Sequence, residues 1–222
     1  MESQDFVNHL RSDAAAFVEA CRKGEGLGAP VPACPGWDVA KLALHLGIVH
    51  QWQGAIVSTA AQGPPDMSTF ARAPDGPARI DWLEDNTREL LLALGACDDP
   101  SEPMWNFSGA NQTASFWFRR SAQETAVHRW DAQQAAGRPR PVDPALAVDG
   151  IEELLDVLLP RVTPGLPEEG LGGSLHIHST DAAGEWTVSV AEGKVEVLRG
   201  HSKGDCAIRG SASDLLLFVW NR

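Results

Sequence analysis

Residues 114–136 read A-S-F-W-F-R-R-S-A-Q-E-T-A-V-H-R-W-D-A-Q-Q-A-A, and Gly137 follows. Positions three and four apart on a helix are neighbours, so Ser121, Glu124, His128, Asp131 and Ala135 share one face. Glu-x-x-x-His therefore points a carboxylate and an imidazole the same way. Upstream, residues 39–57 (V-A-K-L-A-L-H-L-G-I-V-H-Q-W-Q-G-A-I-V) predict a helix capped by Asp38. Its inward stripe is Leu42, His45, Leu46, Val49 and Ile56, which puts His45 among core positions. His50 lies about 140° further round at ~100° per residue and is expected to face elsewhere.

Two further amphipathic segments complete the first half of the chain. Around Asp5 to Cys21, Phe6, Leu10, Asp13, Phe17 and Cys21 make one stripe, mostly apolar. Residues 78–95 direct Ile80, Leu83, Thr87, Leu90, Leu91 and Leu94 inward, with Gly95 as a stop. The intervening stretches, residues 23–37 and 67–77, are rich in Gly and Pro. Four amphipathic helices with one long connection predict a bundle.

Beyond G-R-P-R-P-V-D-P, residues 137–144, the pattern changes. A helix over 144–162 leads to three alternating runs, S-L-H-I-H-S-T, G-E-W-T-V-S-V and K-V-E-V-L-R-G, separated by the turn signals D-A-A-G and A-E-G. D-C-A-I-R-G suggests a further short strand, and S-A-S-D-L-L-L-F-V-W reads as a capped helix. The expected fold is α+β overall: a helical bundle over residues 1–140, then a small α/β domain over 141–222 with a mainly antiparallel sheet.

Composition narrows the function. With 222 residues, 43% hydrophobic and 22% charged, the chain can bury a core. A formal net charge of -12 argues against nucleic acid and anionic membrane surfaces as partners. No signal peptide or membrane span is read in the sequence. Cys21, Cys34, Cys97 and Cys206 form no C-x-x-C pair, which fits reduced thiols and a cytoplasmic location.

His45 from one helix and Glu124 with His128 from another make a sensible three-ligand set for a divalent metal with one position open, as in catalytic zinc sites. The residues alone leave two other readings open. His45 can be a hydrogen-bonded core histidine, and Glu124 with His128 a helix-surface pair worth ~0.2–0.5 kcal/mol. Asp131, one turn after His128, reads either as a carboxylate orienting that imidazole or as a hydrogen bond inside the bundle. Cys34 reads as a loop residue without a base partner, and Trp37 and Trp105 as packing at the bundle ends. His176 and His178 share a strand face but lack a third ligand, so they read as structural. Arg119, Arg120 and Arg129 read as solvated helix surface.

V-P-A-C-P-G-W-D-V-A-K-L-A-L-H-L-G-I-V-H-Q-W (residues 31–52) and F-W-F-R-R-S-A-Q-E-T-A-V-H-R-W-D-A (116–132) resemble helix signatures of the mycothiol-dependent maleylpyruvate isomerase family, within the DinB-like metal-binding bundles. L-H-I-H-S-T-D-A-A-G-E-W and G-D-C-A-I-R-G-S-A-S-D-L-L-L-F-V-W-N-R are similar to that family's second domain, which resembles sterol-carrier-type modules. The likeness spans nearly the whole chain in order; the family usually runs on with a further short segment after the position of Arg222.

The resemblance implies a zinc-type metal on His45, Glu124 and His128, with mycothiol as the thiol cofactor. It implies a metal-activated thiolate that adds to an electrophilic small molecule, for cis–trans isomerisation or S-transfer. In that family an arginine of the second domain serves an anionic substrate; Arg222, in the W-x-R ending, looks like that position, and Arg209 is the other notable cation there. The expected partners are a small thiol and a small anionic or electrophilic substrate, on a monomer or weak homodimer. A metal-dependent hydrolase and a non-catalytic small-ligand-binding protein are the rival readings.

Overall fold

The computed structural model describes residues 1–165 and 172–222. The chain divides into two compact units, Met1–Arg140 and Pro141–Arg222. Among the described residues, no helix is long and apolar enough to cross a membrane.

The first unit is built from α1 (Ser3–Lys23), α2 (Val39–Ser58), α3 (Ala78–Gly95) and α4 (Ala114–Ala135). Each helix begins or ends where local chemistry dictates. Asp38 accepts the Lys41 amide at 2.7 Å to cap α2, satisfying a donor that has no partner inside the helix. After α4 the chain leaves through Gly137 at φ +67°, a left-handed turn that costs glycine little. The α1 stripe buries Phe6, Leu10, Phe17 and Cys21, and Asp13 on the same stripe meets the Arg129 guanidinium of α4 at 3.1 Å. That pairing explains a charge inside an otherwise apolar row.

Helices α1 and α4 pack against each other, as do α2 and α3, while α2 also borders α4. The α2–α3 approach is close. A Cβ at Gly47 would come within 2.1 Å of the Trp82 indole, so only glycine fits under that ring. Leu42, Leu46, Leu83, Phe17 and Ala132 form one buried cluster with Val31 and Val39. At about 1.5–3 kcal/mol for each large apolar side chain removed from water, such a cluster is the principal stabilising force on the bundle.

α2 has neighbours on two sides, and His50, expected to face away from the His45 stripe, is turned toward α3 and α4. His50 is fully buried, with Nδ1 2.8 Å from Thr87 Oγ1 of α3 and Nε2 2.9 Å from Thr125 Oγ1 of α4. Burial pushes its pKa down to about 3, so it is a neutral strut between three helices. A single stripe drawn on α2 could not reveal a second buried face.

In the second unit, α5 (Pro144–Glu153) continues through a π-helical turn at Leu154–Leu158 into α6 (Leu159–Val162), so the single helix expected over 144–162 is interrupted. The strands are β1 (Gly173–Ser179), β2 (Glu185–Ala191), β3 (Lys194–Arg199) and β4 (Cys206–Gly210), in the order β3-β2-β1-β4. β1–β2 and β2–β3 are antiparallel, but β4 joins β1 in parallel, which makes the sheet mixed. The last helix, α7 (Ala212–Val219), is capped by Ser211, whose hydroxyl accepts the Asp214 amide.

Residues paired across strands share a face. Ile177 and Trp186 form one such pair, both buried, and the Trp186 indole donates to Glu152 of α5 at 2.7 Å. This face carries the core of the unit together with Leu146, Ile151, Leu215 and Leu216 of α5 and α7. The opposite face presents Ser174, His176, His178, Glu185 and Thr187.

Replacing His50 by Ala is expected to destabilise the first unit by about 2–4 kcal/mol, from the cavity and the two hydroxyls left without their ring partner. Urea denaturation measures this. A loss under about 0.5 kcal/mol, the range of a surface substitution, contradicts the strut.

Candidate metal centre

The α2 and α4 faces bring His45, Glu124 and His128 together, one donor atom from each lying within 4.8 Å of the others. Glu124 Oε1 is 3.0 Å from His45 Nε2 and 3.2 Å from His128 Nε2. Side-chain exposure falls from 36% at His45 to 18% at Glu124 and 10% at His128, so solvent reaches the group from the His45 side. The Trp37 ring stands edge-on to the His45 imidazole, with centroids 5.2 Å apart. Trp37 is thus a wall of the site, where the sequence suggested only packing at a bundle end.

Each donor is held from behind. Arg120, one turn before Glu124, donates Nη2 to the other carboxylate oxygen at 2.8 Å and is itself almost wholly buried. The expectation of a solvated surface is therefore corrected for Arg120, and also for Arg129. The latter is buried between Asp13, Gln133 and the Arg140 carbonyl. The signal for Arg120 was available: Arg120, Glu124 and His128 are successive positions at i, i+4 and i+8.

Asp131 is fully buried and takes the Nδ1 side of His128 at 2.8 Å. With a proton on Nδ1, the His128 Nε2 lone pair is free to face the group. The Cys34 thiol donates to the same Asp131 oxygen at 3.7 Å, so this loop cysteine has a partner that sequence spacing did not reveal.

The charges follow from these contacts. Burial works to raise the Glu124 carboxyl, but hydrogen bonds with His128 and His45 and the Arg120 charge hold it well below the usual carboxylate range. Burial disfavours a charged His128, yet the Asp131 and Glu124 hydrogen bonds carry its pKa up to about 9. Two imidazole nitrogens and an ionised carboxylate oxygen, converging from two helices, are the His₂Glu donor set that suits a divalent ion of the zinc type. The residues present fit such a group.

The model for the "mycothiol maleylpyruvate isomerase N-terminal domain" matches residues 7–133. That for the "MDMPI C-terminal domain" matches residues 145–222. The chain belongs to the mycothiol maleylpyruvate isomerase family. Its fold is that of the crystal structure of the mycothiol-dependent maleylpyruvate isomerase, with a TM-score of 0.66 at 12% identity over 98% of this chain and 88% of that one. A histidine-to-alanine mutant of that isomerase matches with the same values. No curated protein matches by sequence. Arg222, beyond α7, lies in the second unit, where its guanidinium donates to the Trp220 carbonyl at 2.7 Å.

In metal-free protein, the His128 imidazole is expected to titrate near pH 9 by NMR, and the Asp131→Asn change to lower that value. Because the folded value exceeds the unfolded value of ~6.5, its charge stabilises the apo bundle fully below that pH. The contribution is lost as the pH rises through about 9. A His128 resonance titrating near the unfolded value contradicts this picture.

Proposed function

We propose that this protein is a mycothiol-dependent enzyme in which His45, Glu124 and His128 hold a divalent metal, Zn²⁺ by donor chemistry. The observation that carries the reading is the convergence of those three donor atoms on a partly open face of the bundle. The family and the fold of the mycothiol-dependent isomerase support thiol chemistry at that group. A metal bound there would lower the pKa of a coordinated thiol from ~8.5, so that thiolate is available at neutral pH.

The chain's own residues then have distinct tasks. Glu124 supplies negative charge, kept ionised and oriented by Arg120. Asp131 fixes the tautomer of His128. The exposed side of His45 leaves a path for the small thiol. The reaction proposed is addition of the thiolate to an electron-poor cis double bond, rotation about the resulting single bond, and elimination of the thiol from the trans product. S-transfer to an electrophile starts the same way.

His45→Ala and His128→Ala are each expected to lower bound metal well below stoichiometric, while His50→Ala leaves metal content unchanged. Full metal in His45→Ala with loss in His50→Ala is the result that defeats the ligand set. Cobalt-loaded protein is expected to gain a sulfur-to-metal charge-transfer absorption with mycothiol and none with its S-methyl derivative. A spectrum indifferent to saturating thiol favours a metal-dependent hydrolase.

A further inference from the structure

The polar face of the sheet carries a second convergence of ligands that the proposed activity does not use. His178 of β1 lies directly across from Glu185 of β2, and His176 is two residues earlier on the same strand face. The chain returns after β3 to bring His201 to the same place. His176 Nε2, His178 Nδ1 and His201 Nδ1 lie 2.9, 3.0 and 2.7 Å from a single atom, Glu185 Oε1. Donor atoms of His176, His178 and Glu185 all fall within 4.8 Å of one another.

Sequence spacing left the His176/His178 pair without a third ligand. Strand register and the β3 exit supply two more. Hydrogen bonding alone satisfies this group poorly, because one carboxylate oxygen offers two lone pairs and three ring nitrogens crowd it. The three separations from Glu185 Oε1 instead approach the ~3.3 Å edge of a tetrahedron whose metal–nitrogen bonds are ~2.0 Å long. Across from His176 in the same register, Thr187 is buried and its hydroxyl has no hydrogen-bond partner among the described residues, a polar atom left over beside the group. Arg209, the neighbour of His178 on β4, is exposed, so solvent screens its charge.

We propose that His176, His178, Glu185 and His201 form a second divalent-metal site, independent of the bundle centre and structural in character. Three imidazoles and one carboxylate suit zinc, copper or nickel rather than calcium or magnesium, which prefer oxygen donors. Four protein ligands from β1, β2 and the segment after β3 close the coordination shell, as structural zinc sites do. The ion would clip that exposed segment, with His201 84% exposed, onto the sheet.

The test uses tag-free full-length protein carrying His45→Ala and His128→Ala, so that the bundle centre is disabled. Zinc titrated against a chromophoric chelator is expected to fill about one site per chain, and the histidine NMR signals of this cluster to shift with it. Adding His178→Ala and His201→Ala, both at solvent-accessible positions, is expected to abolish that binding with an unchanged circular dichroism spectrum. Glu185→Gln is expected to weaken it about tenfold or more. Zinc binding that survives the loss of His178 and His201, or no binding by the starting variant, overturns the proposal. Metal loss at the bundle alone leaves this readout unchanged, so the two proposals fail separately.

Discussion

The Glu124 carboxylate accepts Arg120 on one oxygen and faces His45 and His128 with the other. An ionised carboxylate so deep in a bundle is costly unless every lone pair is answered. Answering them commits α4 to present Arg120, Glu124 and His128 along one line, and commits α2 to bring His45 opposite. Asp131 and Cys34 extend the demand to the far side of His128 and to the loop before α2. The apolar packing around these groups fixes helix positions to within a rotamer.

How far the sequence alone could go depends on which neighbours are local. The triad was visible because Glu124 and His128 are one turn apart and His45 stands in an apolar stripe. The burial of His50 is not legible in a single α2 stripe, because α3 and α4 both cover that helix. Arg120 was misread as surface because arginine is usually solvated, although its i, i+4 relation to Glu124 lay in plain view. The sheet cluster required knowledge of register: His178 meets Glu185 only once the turn between β1 and β2 fixes the pairing, and His201 only once β3 has ended.

The parallel pairing of β4 with β1 also lay beyond local patterning, since a short alternating run does not announce its direction. The edge between helix and π-turn at Leu154 is another such case. α7, whose cap Ser211 directly follows β4, packs against α5, the helix that runs into the π-turn.

Arg120, Glu124, His128 and Asp131 span twelve positions of one helix, close to three full turns, so they lie in a nearly straight row about 16 Å long. Along it the signs alternate: plus, minus, plus, minus. Such a row sums to zero, so its field dies away with distance faster than that of a single charge. On the proposed reading, a doubly charged ion in place of the His128 Nε2 proton would break the alternation and leave one surplus positive charge. A thiolate neutralises that surplus, whereas an uncharged thiol does not. On the proposed reading, the row would then favour the ionised sulfur over its protonated form.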